Sequence, residues 1–198
     1  LARTSVRRVD WLLLLTFAIG NGLIAPERAV NVKMLGHDFL AFYTAGHYVR
    51  TDQFEKMYDM KAVQAYEAGV VKSAHMEVEK GFGPWWNPPF AALAFAPFAA
   101  LDYPDALAVW AILSAVVMVL SLAVLGKILD SGSWKTWALI PLFFIASMPW
   151  IQATSHGQNT FITLGLRLAT VILWRSDMGL AAGRVAELLF YKPHHAAV

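Results

Sequence analysis

Ala106-Leu-Ala-Val-Trp-Ala-Ile-Leu-Ser-Ala-Val-Val-Met-Val-Leu-Ser-Leu-Ala-Val-Leu125 is interrupted only by Ser114 and Ser121. A run of this kind matches the roughly 20 residues an α-helix needs to cross a hydrocarbon core about 30 Å thick. The composition agrees: 58% of the 198 residues are hydrophobic and 15% charged, with a mean hydropathy of +0.49, outside the usual soluble range. The solvent predicted for most of this chain is lipid, and the fold class is all-α, a multi-pass transmembrane helical bundle. A formal net charge of +2 without any basic run gives no sign of nucleic-acid binding. Cysteine is absent, so disulfides, thiolate nucleophiles and thiolate metal ligands are excluded.

Upstream, Arg3, Arg7 and Arg8 precede an apolar run from Trp11 to Ile24, read as a first span at 1–25. A cleaved signal peptide has the same basic-then-apolar signature, but no small-x-small cleavage site follows, whereas further apolar runs do. The basic head places the N-terminus in the cytoplasm of an integral plasma (inner) membrane protein. Residues 26–87 then form an extracytoplasmic loop. Within it, Asp38 to Arg50 sets Phe39, Phe42, Tyr43 and Gly46 at helical spacing, with Asp38 at the N-cap or in the first turn. Lys61 to Lys72 repeats the pattern with Val63, Tyr66, Val70 and Val71. Both are expected to be short interfacial helices.

Downstream, residues 88–198 hold further spans. Phe90 to Leu101, with Pro97 inside it, is short for a crossing. After the 106–125 span come Trp137 to Ile151 with Pro141 and Pro149, Thr160 to Trp174 with Arg167 inside, and an apolar stretch from Leu180 onward. The chain stops at Val198 within that last stretch, so the single membrane domain, 1–198, is expected to be C-terminally incomplete. If Phe90 to Leu101 crosses, Lys127 and Lys135 fall outside, against the positive-inside rule. If it only dips into the membrane, Lys127, Lys135 and Arg175 become cytoplasmic, and Asp38, Gln158 and the Lys192 cluster share the outer face. The charge distribution favours the second.

Four motifs have residues suited to chemistry. Gly36-His37-Asp38-Phe39 puts a carboxylate where the chain meets the outer interface, able to take a proton from a hydroxyl; an N-cap aspartate explains the same residue structurally. Gly83-Pro-Trp-Trp-Asn-Pro-Pro-Phe90 includes Trp86 and Asn87 and offers aromatic faces to a sugar or an isoprenoid, or simply belongs to the interfacial belt. His156-Gly-Gln-Asn159 supplies the amides of Gln158 and Asn159, or merely turns the chain. Tyr191-Lys-Pro-His-His195 brings Lys192 and His194, a cation and an imidazole suited to a lipid-linked phosphate or to anchoring at the interface. His37, Asp38 and His47 match no compact metal motif, and no metal or other cofactor is assigned. Arg167 and the pair Arg184 and Glu187, costly in lipid, are expected to face a bundle interior or each other.

The order of these residues resembles the N-terminal half of glycosyltransferase family 87, membrane enzymes of the GT-C superfamily. The resemblance runs through Asp38-Phe39 with Tyr43 and Ala45, Met57-Tyr58-Asp59, and Asn87-Pro-Pro-Phe90 with Ala91, Leu93 and Pro97. It continues through Trp110, Pro149, Gly157-Gln158-Asn159, Ala182-Gly183 and Lys192-Pro193-His194, and so covers nearly the whole chain. It implies a GT-C-like bundle and transfer of a sugar, typically mannose or arabinofuranose, from a polyprenyl-phosphate donor to an extracytoplasmic glycan or glycolipid acceptor. By that analogy Asp38 is the general base of an inverting transfer. Lys192 and His194 neutralise the leaving phosphate, while His37, Tyr43, Trp86, Asn87, Gln158 and Asn159 line the substrate sites. Family precedent, unlike the charge distribution, favours a crossing after the loop. Members of the family are longer, and Arg184-Val-Ala-Glu187 interrupts a helix that is smooth in relatives. The rival reading is a non-catalytic membrane protein, a scaffold or a transporter fragment; a transporter predicts an internal repeat, and none is present.

Overall fold

The computed structural model describes residues 36–76, 83–128 and 156–192, together with residues 12, 15, 16, 19, 20, 138, 141, 142, 150, 153 and 154. Apart from those isolated positions, the expected spans at 1–25 and from Trp137 to Ile151 lie outside the described residues, as does His194. Among the described residues every regular element is a helix.

The first loop stretch forms α1, His37–Arg50. Gly36 holds the N-cap position at φ 78°, which leaves Asp38 in the first turn, near the partial positive charge of the helix N-terminus. Instead of lying one-sided on a surface, α1 is enclosed, with Phe39 to Gly46 and Tyr48 all buried. No Asp, Glu, Lys or Arg stands between Asp38 and Arg50, and a helix without a polar face gains stability only when covered all round.

After a 3-10 turn at Phe54–Tyr58 comes α2, Met60–Ser73. Asp59 caps it, accepting from the amides of Lys61 and Ala62 at 2.9 and 3.3 Å. Val63, Tyr66, Val70 and Val71 join the core around α1, as their spacing predicts. Glu67 is buried among them, only 2% exposed. Its Oε2 accepts from the Gly83 amide at 2.8 Å, and its Oε1 has no partner. Burial pushes this carboxyl up to about 7, with the Gly83 bond opposing the shift.

Pro88 and Pro89 open a 3-10 helix, Pro89–Phe95, and a second follows at Phe98–Ala100. At a rise of about 2 Å per residue, the longer one covers less than half of a core of about 30 Å. The Phe90 to Leu101 segment thus forms two short 3-10 helices and not one continuous helix. It packs on α1 through Ala91, Ala92 and Phe95. Gly46 permits the approach, because a Cβ there would lie 2.4 Å from the Phe95 carbonyl oxygen.

The deciding stretch lies within α3, Tyr103–Ile128, among the described residues the one helix long and apolar enough to cross a membrane. Its buried side holds Ala106, Trp110, Ser114, Ser121 and Gly126, while Ile112, Val116, Val119 and Leu120 are exposed. Small and polar residues inward with branched ones outward suits lipid, where close helix approach rather than apolar burial drives packing. A later helix, α4, Thr160–Arg175, runs parallel to α3. The groove between the two has Trp110 and Asn159 at one end and Val124 and Ile172 at the other. Both N-termini therefore sit at the same end as Asp38. After a turn with Asp177 at φ 58°, α5, Gly179–Glu187, folds back on α4. A 3-10 helix, Leu188–Tyr191, then returns the chain to the N-terminal part of α4, where the Tyr191 and Thr163 hydroxyls hydrogen-bond. Arg184 and Glu187, expected to face inward or each other, are both exposed on α5.

Three buried or half-buried bonds tie these parts together. Tyr43 Oη donates to the Leu101 carbonyl at 2.8 Å, Tyr103 Oη to that of Gly36 at 2.9 Å, and Trp110 Nε1 to that of Gly157 at 2.8 Å. Phe39 stacks on Trp110 with centroids 5.5 Å apart.

Two stability predictions follow from this packing. The unfolded chain releases the Glu67 proton near pH 4.5, but the fold retains it to about 7, so stability falls across that window as pH rises. In thermal melts in detergent, Glu67→Gln should be more stable than the parent by on the order of 2 kcal/mol at pH 8 and not at pH 4; an equal shift at both would refute the assignment. Trp110→Phe keeps an aromatic ring but leaves the Gly157 carbonyl unpaired, and should cost about 1–3 kcal/mol. An unchanged melting midpoint would show that bond to be dispensable.

Candidate active site

At the end shared by α1, α3 and α4, two glycine turns meet. Gly36 has φ 78° and Gly157 φ 70°, a left-handed conformation that side chains rarely adopt. Space adds to the constraint, since a Cβ on Gly36 would lie 2.5 Å from Leu107 Cδ1 and one on Gly157 2.9 Å from Phe39 Cβ. The first turn delivers Asp38 and the second delivers His156, Gln158 and Asn159. Between them, His156 Nδ1 stands 3.7 Å from Asp38 Oδ2. That oxygen is buried without a hydrogen-bond partner, although the Asp38 side chain as a whole is 34% exposed. The exposure therefore belongs to its other atoms.

Lys192, brought back by the last 3-10 helix, is the third member of the cluster. Burial lowers its ammonium below the ordinary range, and the neighbouring Asp38 carboxylate opposes that shift. A partly desolvated cation thus stands within electrostatic reach of a carboxylate more than 150 residues earlier in the chain. Asn159 is 2% exposed, and neither its Oδ1 nor its Nδ2 has a partner. It borders a cavity of about 340 Å³ whose other walls include Phe90, Phe98, Trp110, Leu113 and Leu188. On another face of Trp110 a second cavity of about 270 Å³ reaches Gly36, Ser114 and Gly157.

The predicted site residues separate into groups. Asp38, Gln158, Asn159 and Lys192 are gathered at one end, with His37 beside Asp38 and half-buried. Tyr43 is buried and its hydroxyl is committed to Leu101, which makes it part of the packing behind Asp38. Trp86 is 79% exposed, and Asn87 is held through its backbone carbonyl, which accepts from Tyr58 Oη at 2.8 Å. No side-chain interaction draws either of them to Asp38. His47 stacks on Tyr66, centroids 4.1 Å apart, more than two helical turns from Asp38, so His37, Asp38 and His47 do not converge on a metal. Sequence reasoning placed His156 in its turn but gave it no role; its only signal was its place beside Gly157. Glu67 was hidden inside an otherwise apolar helical face.

The chain can be compared with known proteins on this basis. The model of glycosyltransferase family 87 matches residues 85–198. No curated protein and no solved structure matches the chain. The matched region includes His156, Gln158, Asn159 and Lys192, while Asp38 precedes it. Covering more than half of the 198 residues, the match shows that this chain belongs to glycosyltransferase family 87, a family of membrane glycosyltransferases.

Proposed function

We propose that this chain carries the active site of a glycosyltransferase that takes a hexosyl or pentosyl group from a polyprenyl-phosphate sugar. The acceptor is an extracytoplasmic glycan or glycolipid, and the anomeric configuration is inverted. The observation that supports this reading best is the convergence of the Asp38 turn and the His156-to-Asn159 turn, 3.7 Å apart at His156 and Asp38, with Lys192 in electrostatic reach, at one end of a parallel pair of apolar helices. A transfer of this kind needs a base for the acceptor and a cation for the departing phosphate. It also needs an apolar surface for the isoprenoid.

The acceptor hydroxyl oxygen attacks the anomeric carbon, and its proton passes to the Asp38 carboxylate. The bond from the anomeric carbon to the phosphate oxygen breaks with its electron pair going to the phosphate. Lys192, with His194 beyond it in sequence, holds that developing charge. A cation already desolvated is effective here because it loses little further hydration as the phosphate charge grows. Gln158 and Asn159 have amides to spend on sugar or phosphate oxygens, and Trp86 and Asn87 provide a rim where a sugar face can rest. The N-terminus is cytoplasmic and further spans complete the bundle, so the site opens to the outer face of the plasma membrane.

The test is transfer of radiolabelled sugar from polyprenyl-phosphate mannose, and from the arabinofuranose donor, to membrane acceptors in vesicles containing the chain. Asp38→Asn should lower transfer on the order of 10³-fold, and Lys192→Met should reduce it as well. Undiminished transfer by Asp38→Asn would remove Asp38 as the base. Transfer no greater than that of empty vesicles with both donors would favour a non-catalytic scaffold.

A further inference from the structure

Beside Asp38 stands an imidazole that the transfer chemistry leaves unused. His156 Nδ1 lies 3.7 Å from Asp38 Oδ2, the oxygen that is buried and without a hydrogen-bond partner. A carboxylate oxygen withdrawn from water and left without a donor is costly, and His156 is positioned to supply one. Closing the gap to a hydrogen bond takes well under 1 Å, and His156 is free to make that adjustment because 42% of its side chain is exposed. Functional hydrogen bonds are commonly longer in an empty site than in a loaded one.

The backbone on both sides of this contact is fixed. Trp110 Nε1 holds the Gly157 carbonyl and Tyr103 Oη holds that of Gly36, so the turns that carry the two side chains are anchored to the same helix, α3. Gly157 is also wedged against Phe39, the residue that follows Asp38.

We propose that His156 is a positioning residue for Asp38: its Nδ1–H donates to Oδ2, fixing the plane of the carboxylate and leaving Oδ1 to take the acceptor proton. This role rests on the reading of Asp38 as the base. The imidazole acts as a neutral donor, because a nearby imidazolium would weaken the base it orients. His156 keeps its own proton throughout, and the acceptor proton ends on Asp38. The hydrogen bond also selects the tautomer, with Nδ1 protonated and Nε2 bare.

The experiment has a kinetic arm and a spectroscopic arm. In the vesicle assay, His156→Ala should lower kcat by roughly 10- to 100-fold with KM nearly unchanged. His156→Asn, whose amide N–H stands where Nδ1–H stood, should recover most of that loss. The tautomer is read without turnover, from imidazole 15N shifts of the whole labelled chain in detergent at alkaline pH, with the His156 signals assigned by their disappearance in His156→Gln. The expected result is the Nδ1–H tautomer, reverting to Nε2–H in Asp38→Ala. A wild-type kcat in His156→Ala, alongside a normal loss in Asp38→Asn, would overturn the positioning role alone. So would an Nε2–H tautomer that Asp38→Ala leaves unchanged, or a failure of His156→Asn to improve on His156→Ala. Full transfer by Asp38→Asn would overturn the base and with it this role.

Discussion

The stack of Phe39 on Trp110, together with the bond from Trp110 Nε1 to the Gly157 carbonyl, is the contact on which the site depends. Phe39 belongs to the loop helix, Trp110 to the spanning helix and Gly157 to the turn before α4. One indole therefore fixes three separate parts of the chain. Around it Phe42, Phe95 and Phe98 add tilted and edge-on ring contacts, each worth a fraction of a kcal/mol to somewhat more beyond the area it buries. An indole suits this place because it offers an apolar face to the rings and still brings a donor to a backbone oxygen that would otherwise be buried unpaired.

The two ends of the structure obey different packing rules. Around α1 the loop behaves like a small water-soluble core, with large side chains inward and Glu67 the one ionisable side chain among the fully buried described residues. Along α3 and α4 the order reverses. Serine and glycine lie at the contact, as where Gly165 meets Val117 and Ser121, while branched residues such as Ile112, Val116 and Val119 are exposed. The site stands where these regimes meet. Asp38 and Lys192 are half-buried there, while an apolar groove begins a few residues away.

Affiliation with glycosyltransferase family 87 and the geometry bear on different residues. The family match covers the half of the site that holds His156, Gln158, Asn159 and Lys192. Asp38 enters through the fold, by its distance to His156 and its field at Lys192. On the proposed reading the two halves need each other: a cation without a base would bind phosphate, and a base without a cation would face an unstabilised leaving group.

By itself, the sequence determined the helical class, the long apolar helix that includes 106–125 and the helices at Asp38 to Arg50 and Lys61 to Lys72, because each is set by local composition and by a hydrophobic period within one segment. It also marked Asp38, Gln158, Asn159 and Lys192, since polar groups beside glycine and proline turns stand out in an apolar chain. Only the tertiary structure decided that α1 is enclosed, that Phe90 to Leu101 folds into two short 3-10 helices packed on it and that Tyr43 is packing. Burial depends on neighbours that are distant in sequence. The same holds for His156 and Glu67, whose chemistry comes from what they face: a buried carboxylate oxygen for one, and the Gly83 amide inside an apolar wall for the other. No periodicity records such a pairing, because it exists only once two turns separated by more than 100 residues are brought together by the indole between them.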